Sequence, residues 1–464
     1  MPLCDDSART VKRHALAAAA ALRQHGGVVE RITATQSERA QARAAAALLA
    51  HGLDRADRVA IVAGPSADYL AVALGALRVG IVPVLLHPTL TDRELAPLLE
   101  DADPALVLRD PDIATLAAWG GRPADLAPAP LARPMMYTSG TTGVPKGVWS
   151  GILDERDAQA LLNEERELWG FERDDVNLVV SPLHHSAPMR FATGTLLAGG
   201  DVVLPGPFEA QQVAETIAAQ QPTTAFMVPA HLQRLFALPS LPPLACFRLL
   251  AHAGAPCPDH LKRAAIDAFP AGALWEFYGS TEGQFTACST EEWLARHGTV
   301  GRARPGRELS VDEHGVIWCR VPWYARFEYW RSPDKTALAW RDDCFTVGDL
   351  GRLDSDGYLY LDGRRDDLII SGGVNVYPLE VERALLELPG VVQVAVFPVA
   401  DERWGQRVVA AVVGDVTADG VRSWMAERLA PYKRPKEVLV VDDIPHTPTG
   451  KVRRTSLARD LGLE

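Results

Sequence analysis

Lysine is scarce in this chain of 464 residues. Lys12, Lys146, Lys262, Lys335, Lys433, Lys436 and Lys451 are the only ones among 47 basic residues, and the rest are arginine. A GC-rich coding bias accounts for most of the imbalance. It still draws attention to each lysine, because a planar guanidinium does not replace a compact ammonium at every phosphate or reacting group. Cysteine is sparse too: Cys4, Cys246, Cys257, Cys288, Cys319 and Cys344 are scattered, with no C-x-x-C pair and no histidine at zinc-finger spacing. That pattern argues against a disulfide scaffold or structural zinc and for a reduced, cytoplasmic protein. No run approaches 18 strongly apolar residues, so no membrane span is expected. Positive charge is outweighed, with a formal net charge of −12. A generic binder of nucleic acid or anionic membrane is therefore not expected. Lys12 and Arg13 before the alanine-rich run 15–22 hint at a leader, but Asp5, Asp6 and the weak hydrophobicity of alanine favour an amphipathic first helix.

What is present is ordinary in bulk. Apolar residues make up 47% and charged ones 23%, the mix of a soluble globular protein. This length suggests two to four domains and buries a large core unaided. Residues 35–52 and 67–78 read as helices; 59–63, 81–86 and 106–108 read as short buried strands, and the pattern returns at 177–180, 201–204 and 225–228. Strands alternating with helices of this size predict βαβ units and a largely parallel sheet. Residues 110–134, rich in Pro, Ala and Gly, read as a surface connection. From about residue 309 the texture changes to strands and turns, with Asp356-Gly357 a strong turn signal. After a polar break at 362–367 the pattern is a helix near 378–388, strands at 391–397 and 408–413, and a helix near 418–429.

The densest chemistry lies in Thr138-Ser139-Gly140-Thr141-Thr142-Gly143-Val144-Pro145-Lys146-Gly147. Glycines let backbone N–H groups approach a phosphate, hydroxyls donate, and Lys146 adds charge. It is not a Walker A loop, since proline precedes the lysine and glycine follows it.

This segment resembles the phosphate loop of the acyl-adenylate-forming superfamily, which holds acyl-CoA synthetases, adenylation domains of peptide synthetases and luciferases. Four further segments match in the family's order: Tyr278-Gly279-Ser280-Thr281-Glu282-Gly283; Val347-Gly348-Asp349-Leu350; Gly363-Arg364-Arg365-Asp366-Asp367 followed by Ser371-Gly372-Gly373; and Pro445 to Lys451. The resemblance runs from about residue 35 to the end, and five ordered motifs make it specific.

The resemblance implies an α/β fold. A large N-terminal domain, residues 1–363, would have mixed, mostly parallel sheets with helices and a small β-barrel-like part. A hinge at 364–366 would lead to a small mobile α+β C-terminal domain, 367–464. It implies ATP and Mg2+, with CoA as co-substrate, and a small carboxylic acid joined to AMP. Glu282 would hold magnesium, which takes hard oxygen ligands and often few protein carboxylates. Thr281 would donate to phosphate, as would Thr138, Ser139, Gly140, Thr141, Thr142, Gly143 and Lys146. Asp349 and Arg364 would take the ribose, with Tyr278, Gly254, Ala255 and Pro256 around adenosine. Lys451 would bridge carboxylate and α-phosphate. Rotation about Asp366 would exchange Lys451 for the Gly372-Gly373 loop of the thiol channel, as a lid must leave between two steps.

The acid side is less legible. His185, then His184, is the candidate to flank the carboxylate in Ser181–Arg190. Arg190 is either a salt-bridged or snorkelling arginine or a seat for a second anionic group. His252 and Gln284 are pocket candidates, with core packing the other reading for His252. Lys433-Arg434-Pro435-Lys436 is either a solvated face or a contact to CoA phosphates. The tail of the Tyr278 motif and Glu328-Tyr329-Trp330 with Lys335-Thr336 resemble fatty-acyl and bile-acyl CoA ligases. No carrier domain follows Glu464, so a stand-alone enzyme is expected, and a homodimer is compatible with it. The short N-terminal part argues against an ordinary long-chain acid. Two other readings stay open. One is an adenylating enzyme with another acceptor or acid: a carrier-protein thiol, an amine, or nitrite in diazo formation. The other is a nucleotide-binding regulator without catalysis, which has no need of Glu282 and both lysines.

Overall fold

Thr33 opens the first described helix, Ala34–Ala50, with a reciprocal cap: its hydroxyl accepts from Gln36 N, and the Gln36 side chain accepts from Thr33 N at 3.0 Å. Such a cap satisfies N–H groups that an alanine-rich helix start would leave orphaned. The structure, a computed structural model, describes residues 29–138, 146–364, 367–371, 374–446 and 452–463. The helix expected within the first residues lies outside that set.

Two large sheets form the N-terminal part. Six strands are ordered 328–329, 146–149, 135–138, 82–86, 58–62 and 106–108, with the strands from 135–138 through 106–108 parallel. Eight strands are ordered 30–32, 201–204, 176–179, 224–227, 249–252, 274–276, 286–289 and 302–303, parallel in the centre and antiparallel at both margins. Continuous apolar runs such as Val82–Leu86 are buried along their whole length, as a parallel sheet covered on both faces requires. The helix Ala67–Arg78 packs against Ala34–Ala50 and buries nearly every side chain.

Residues 110–134 are not wholly a connection. Asp110–Ala117 is a helix, because Asp112 accepts from Arg109 N at 2.9 Å and Ile113, Leu116 and Ala117 pack into the core. Its apolar signal is only a few residues long, and the Pro- and Gly-rich flanks hide it.

A four-stranded antiparallel sheet (308–311, 317–320, 344–345, 340–341) and the hairpin 349–353/359–364 pack around Phe285, Phe327 and Phe345. The Asp356-Gly357 turn forms as expected, with Asp354 Oδ1 accepting from Asp356 N and Tyr358 N. The residues from 369 onward build a five-stranded sheet of their own. Alternate residues of the strand Val391–Asp401 face two separate clusters: Val396 lies with Val381 and Val421, whereas Ala395 and Phe397 lie with Ile444 and Leu457. A sheet buried on both faces is a core in its own right. Among the described residues no helix is long and apolar enough to cross a membrane.

Candidate active site

The strands Met135–Thr138 and Lys146–Trp149 pair with Thr138 opposite Lys146, so both sit at the mouth of the glycine-rich loop. Ser139, Gly140, Thr141, Thr142 and Gly143 lie outside the described residues. On the far side of Lys146–Trp149 runs Glu328–Tyr329, with Tyr329 opposite Val148. This register stands the Tyr329 ring 4.9 Å from the Lys146 ammonium, within reach of a cation–π contact. The Tyr329 hydroxyl in turn donates to Glu282 Oε1 at 2.8 Å. Burial, then the Glu282 charge, push Tyr329 far above the usual phenol range, so it stays a donor.

Glu282 is only 6% exposed. The turn that carries it is closed by Ser280 N donating to Gly283 O at 2.8 Å and by pairing of Gly279 with Gln284. A Cβ on Gly279 would meet Gln284 Cα at 2.8 Å, and one on Gly283 would meet Phe345 Cζ at the same distance. Both glycines are therefore steric requirements. Within the turn the Ser280 hydroxyl is buried with no hydrogen-bond partner among the described residues. One carboxylate, one unsatisfied hydroxyl and a nearby ammonium fit magnesium held mainly by phosphate oxygens and water. The described residues contain no group of three His, Cys, Asp or Glu side chains fit for a metal. Thr281, beside Glu282, is half-buried.

Among the residues expected around adenosine, the Tyr278 hydroxyl donates to Asp349 Oδ2 at 2.6 Å, and Arg364 Nε lies 3.0 Å from Asp349 Oδ1. The hairpin register sets Asp349 opposite Arg364, so the ion pair follows from strand pairing. Burial and the neighbouring Asp349 keep Tyr278 protonated. Gly254, Ala255 and Pro256 form an exposed loop after the strand Leu249–His252, and Gly254 has φ +92°, a backbone that suits glycine.

Where the acid is expected, three imidazoles cluster: His184 lies 4.3 Å from His185 and 4.5 Å from His87, centroid to centroid. His185 occupies the N-cap of the helix Ser186–Ala198. Burial, with the two neighbouring imidazoles, lowers His184 to about 2 and leaves it neutral. Arg190, in that helix, donates from Nη1 to Gln284 Oε1 (3.1 Å) and Glu165 Oε1 (3.3 Å). Of its two expected readings, the salt bridge is present. Burial pushes Glu165 up, but Arg190, Arg304 and Arg307 outweigh it and hold Glu165 down to about 2. Gln284 is buried and donates to Thr286 O at 3.0 Å. His252 has no exposed surface, so it backs the site without lining it. It is in register with Glu276, whose carboxylate pairs with Lys262, and neither ring nitrogen of His252 has a hydrogen-bond partner among the described residues.

On the lid side, Asp366, Gly372, Gly373 and Lys451 lie outside the described residues. On either side of Lys451 in the chain, His446 pairs with Val452, and Arg453 N donates to Pro445 O at 3.0 Å. Lys433 pairs with Glu380, and Lys436 Nζ donates to Pro431 O at 3.3 Å. The five described cysteines are free thiols.

Residue-by-residue reading missed Tyr329 as a site residue. Its place in Glu328-Tyr329-Trp330 was visible, but its link to Glu282 spans 47 positions. Glu165, Arg304 and His87 carried no local signal.

Residues 7–128 and 132–326 match the family model described as AMP-binding enzyme, and 380–451 match its C-terminal domain. The chain is 30% identical to the long-chain-fatty-acid–CoA ligase FadD13 of Mycobacterium tuberculosis, with 92% of each chain covered. It is also 30% identical to the fatty acid–[acyl-carrier-protein] ligase ScoC of Streptomyces coeruleorubidus, covering 92% of this chain and 91% of that one. Among solved structures, the o-succinylbenzoate CoA synthetase of Bacillus subtilis bound to its acyl-adenylate intermediate superposes with a TM-score of 0.80. Its identity is 27%, with 91% of this chain and 92% of that one covered.

Proposed function

Because the chain belongs to the AMP-binding enzyme family, we propose that it is a magnesium- and ATP-dependent acid:CoA ligase that forms an acyl-AMP and then a thioester. The observation that carries this reading is the line from Lys146 through Tyr329 to Glu282, set beside the Tyr278–Asp349–Arg364 group. One group holds cation and carboxylate where a triphosphate must be neutralised; the other offers a carboxylate and a guanidinium to a ribose.

In the first step a carboxylate oxygen of the acid bonds to the α-phosphorus of ATP, and the bond to the β-phosphate oxygen breaks, releasing pyrophosphate. Two anions must meet, so positive charge and N–H donors at the phosphates lower the barrier. Lys146 and Thr138, with Ser139, Gly140, Thr141, Thr142 and Gly143, hold the phosphates, and Thr281 donates beside them. Glu282, oriented by Tyr329, holds magnesium, which offsets phosphate charge when bound. Asp349 and Arg364 take the ribose hydroxyls, while Tyr278 and the Gly254-Ala255-Pro256 loop flank the base. His185, backed by His184, flanks the acid carboxylate, and Lys451 bridges it to the α-phosphate. In the second step the CoA thiolate bonds to the acyl carbon and AMP leaves. Rotation about Asp366, between domains 1–363 and 367–464, replaces Lys451 by the Gly372-Gly373 loop. The cytoplasm, which holds ATP and CoA, is the setting.

Similarity to ScoC supports a second acceptor, a carrier-protein thiol. Pyrophosphate exchange over a panel of acids, followed by thioester assay with CoA or a carrier protein, separates the two. Exchange without CoA thioester favours the carrier, and no exchange with any acid sinks adenylation. Lys451→Ala should lose the adenylation step; full retention would remove Lys451 from its role.

A further inference from the structure

The protein carries a net charge of −12, yet beside the acid site it gathers an excess of positive charge. Arg133, Arg190, Arg304 and Arg307 surround two carboxylates, Glu164 and Glu165. Arg304 is 3% exposed. Glu164 is taken by Arg307 at 2.9 Å and by the Tyr324 hydroxyl at 2.7 Å. Glu165 is taken by Arg304 at 2.7 Å. Arg190 reaches only the same Glu165 oxygen, at the longer 3.3 Å, and a neutral amide, while Arg133 donates to the carbonyls of Ala325 and Arg326. Among the described residues Arg190 thus shares its carboxylate with Arg304, and Arg133 bonds only carbonyls. Arg190 is half-buried, its side chain 28% exposed, so it is partly desolvated while sharing its counter-charge, and a guanidinium does not shed its proton to escape.

Of the two, Arg190 is the one at the site. Its guanidinium stands 5.7 Å from the Phe277 centroid, next in chain to Tyr278, and bonds Gln284, two positions past Glu282. It follows His185 by five residues on one helix, about 7.5 Å along the axis. Its Nε has no hydrogen-bond partner among the described residues. We propose that Arg190, supported by Arg304, seats a second carboxylate of the substrate, so that the enzyme selects short dicarboxylic acids over monocarboxylic acids of equal length. This rests on the adenylation reading above. A planar fork matches a carboxylate bidentately, and an acid without the second anion leaves the excess charge at Arg190 uncompensated.

The test is ATP–pyrophosphate exchange with succinate, glutarate and adipate, each against the monocarboxylic acid of equal length, in the wild type, Arg190→Lys and Arg190→Met. The expected wild-type preference in kcat/KM for the best diacid is at least about 100-fold. It falls below about 10-fold in Arg190→Met and to an intermediate value in Arg190→Lys. A monoacid used as well as its diacid, or a preference that survives Arg190→Met, overturns the proposal. Because the wild-type comparison needs no variant, a folding defect cannot rescue it. Exchange with other acids but none of these diacids overturns this proposal alone, whereas no exchange with any acid overturns it together with the adenylation reading.

Discussion

Tyr329 donates its hydroxyl to Glu282 across 2.8 Å while its ring faces the Lys146 ammonium at 4.9 Å. One side chain from an edge strand therefore both orients the carboxylate and touches the cation.

Tyr329→Phe keeps the ring and removes only the donor. Loss of a partner that orients a metal-binding carboxylate typically costs 10–100-fold, so the magnesium concentration for half-maximal exchange should rise by about 10-fold or more. An unchanged magnesium dependence would detach Tyr329 from that role.

Asp349 draws both Tyr278 and Arg364. Tyr278→Phe should raise KM for ATP by roughly 5–10-fold, the effect of about 1 kcal/mol from one lost hydrogen bond. Asp349→Asn, which also weakens the Arg364 pair, should raise it further. Equal KM values for both variants and the wild type would rule this out.

His252 is buried, and burial followed by the charge of Lys262 lowers its pKa from 6.5 to about 4. The unfolded chain therefore takes the proton first as pH falls. Stability present above pH 6.5 is lost progressively down to about pH 4, on the order of 3 kcal/mol from this group. His231, also lowered to about 4, acts in the same direction. Urea unfolding at pH 7.5 and pH 5 should show a smaller loss in His252→Leu than in the wild type; parallel losses would count against the assignment.

Gly283→Ala forces a methyl against the Phe345 ring, 2.8 Å from Cζ. The overpacking should cost about 1–3 kcal/mol in urea unfolding and should disturb the Glu282 turn, lowering exchange activity as well. A neutral substitution would show that the turn yields.

The motifs were legible because each is short and local. Thr138 to Gly147 needs glycines and hydroxyls within one loop, and Tyr278 to Gly283 needs a turn that admits no Cβ at two positions. The parallel strands were legible because burial on both faces makes runs such as Val82–Leu86 uniformly apolar. The helix Asp110–Ala117 was not, since three buried side chains among Pro and Gly give too weak a period. The role of His252 was open until burial was known, because a histidine at a strand end reads the same whether it lines a site or backs one.

By itself the sequence determined the class of chemistry and the order of the motifs, and it singled out two of its seven lysines, Lys146 and Lys451, as candidate cations for phosphate. These follow from residue type and near-neighbour spacing. Only the tertiary structure decided which distant side chains meet: Tyr329 with Glu282, Tyr278 and Arg364 with Asp349, and Arg190 with Glu165 and Gln284. Those pairs are set by strand register and helix packing across separations that no local pattern encodes. The charge imbalance around Arg190 exists only once the chain is folded, when solvent no longer compensates each group separately.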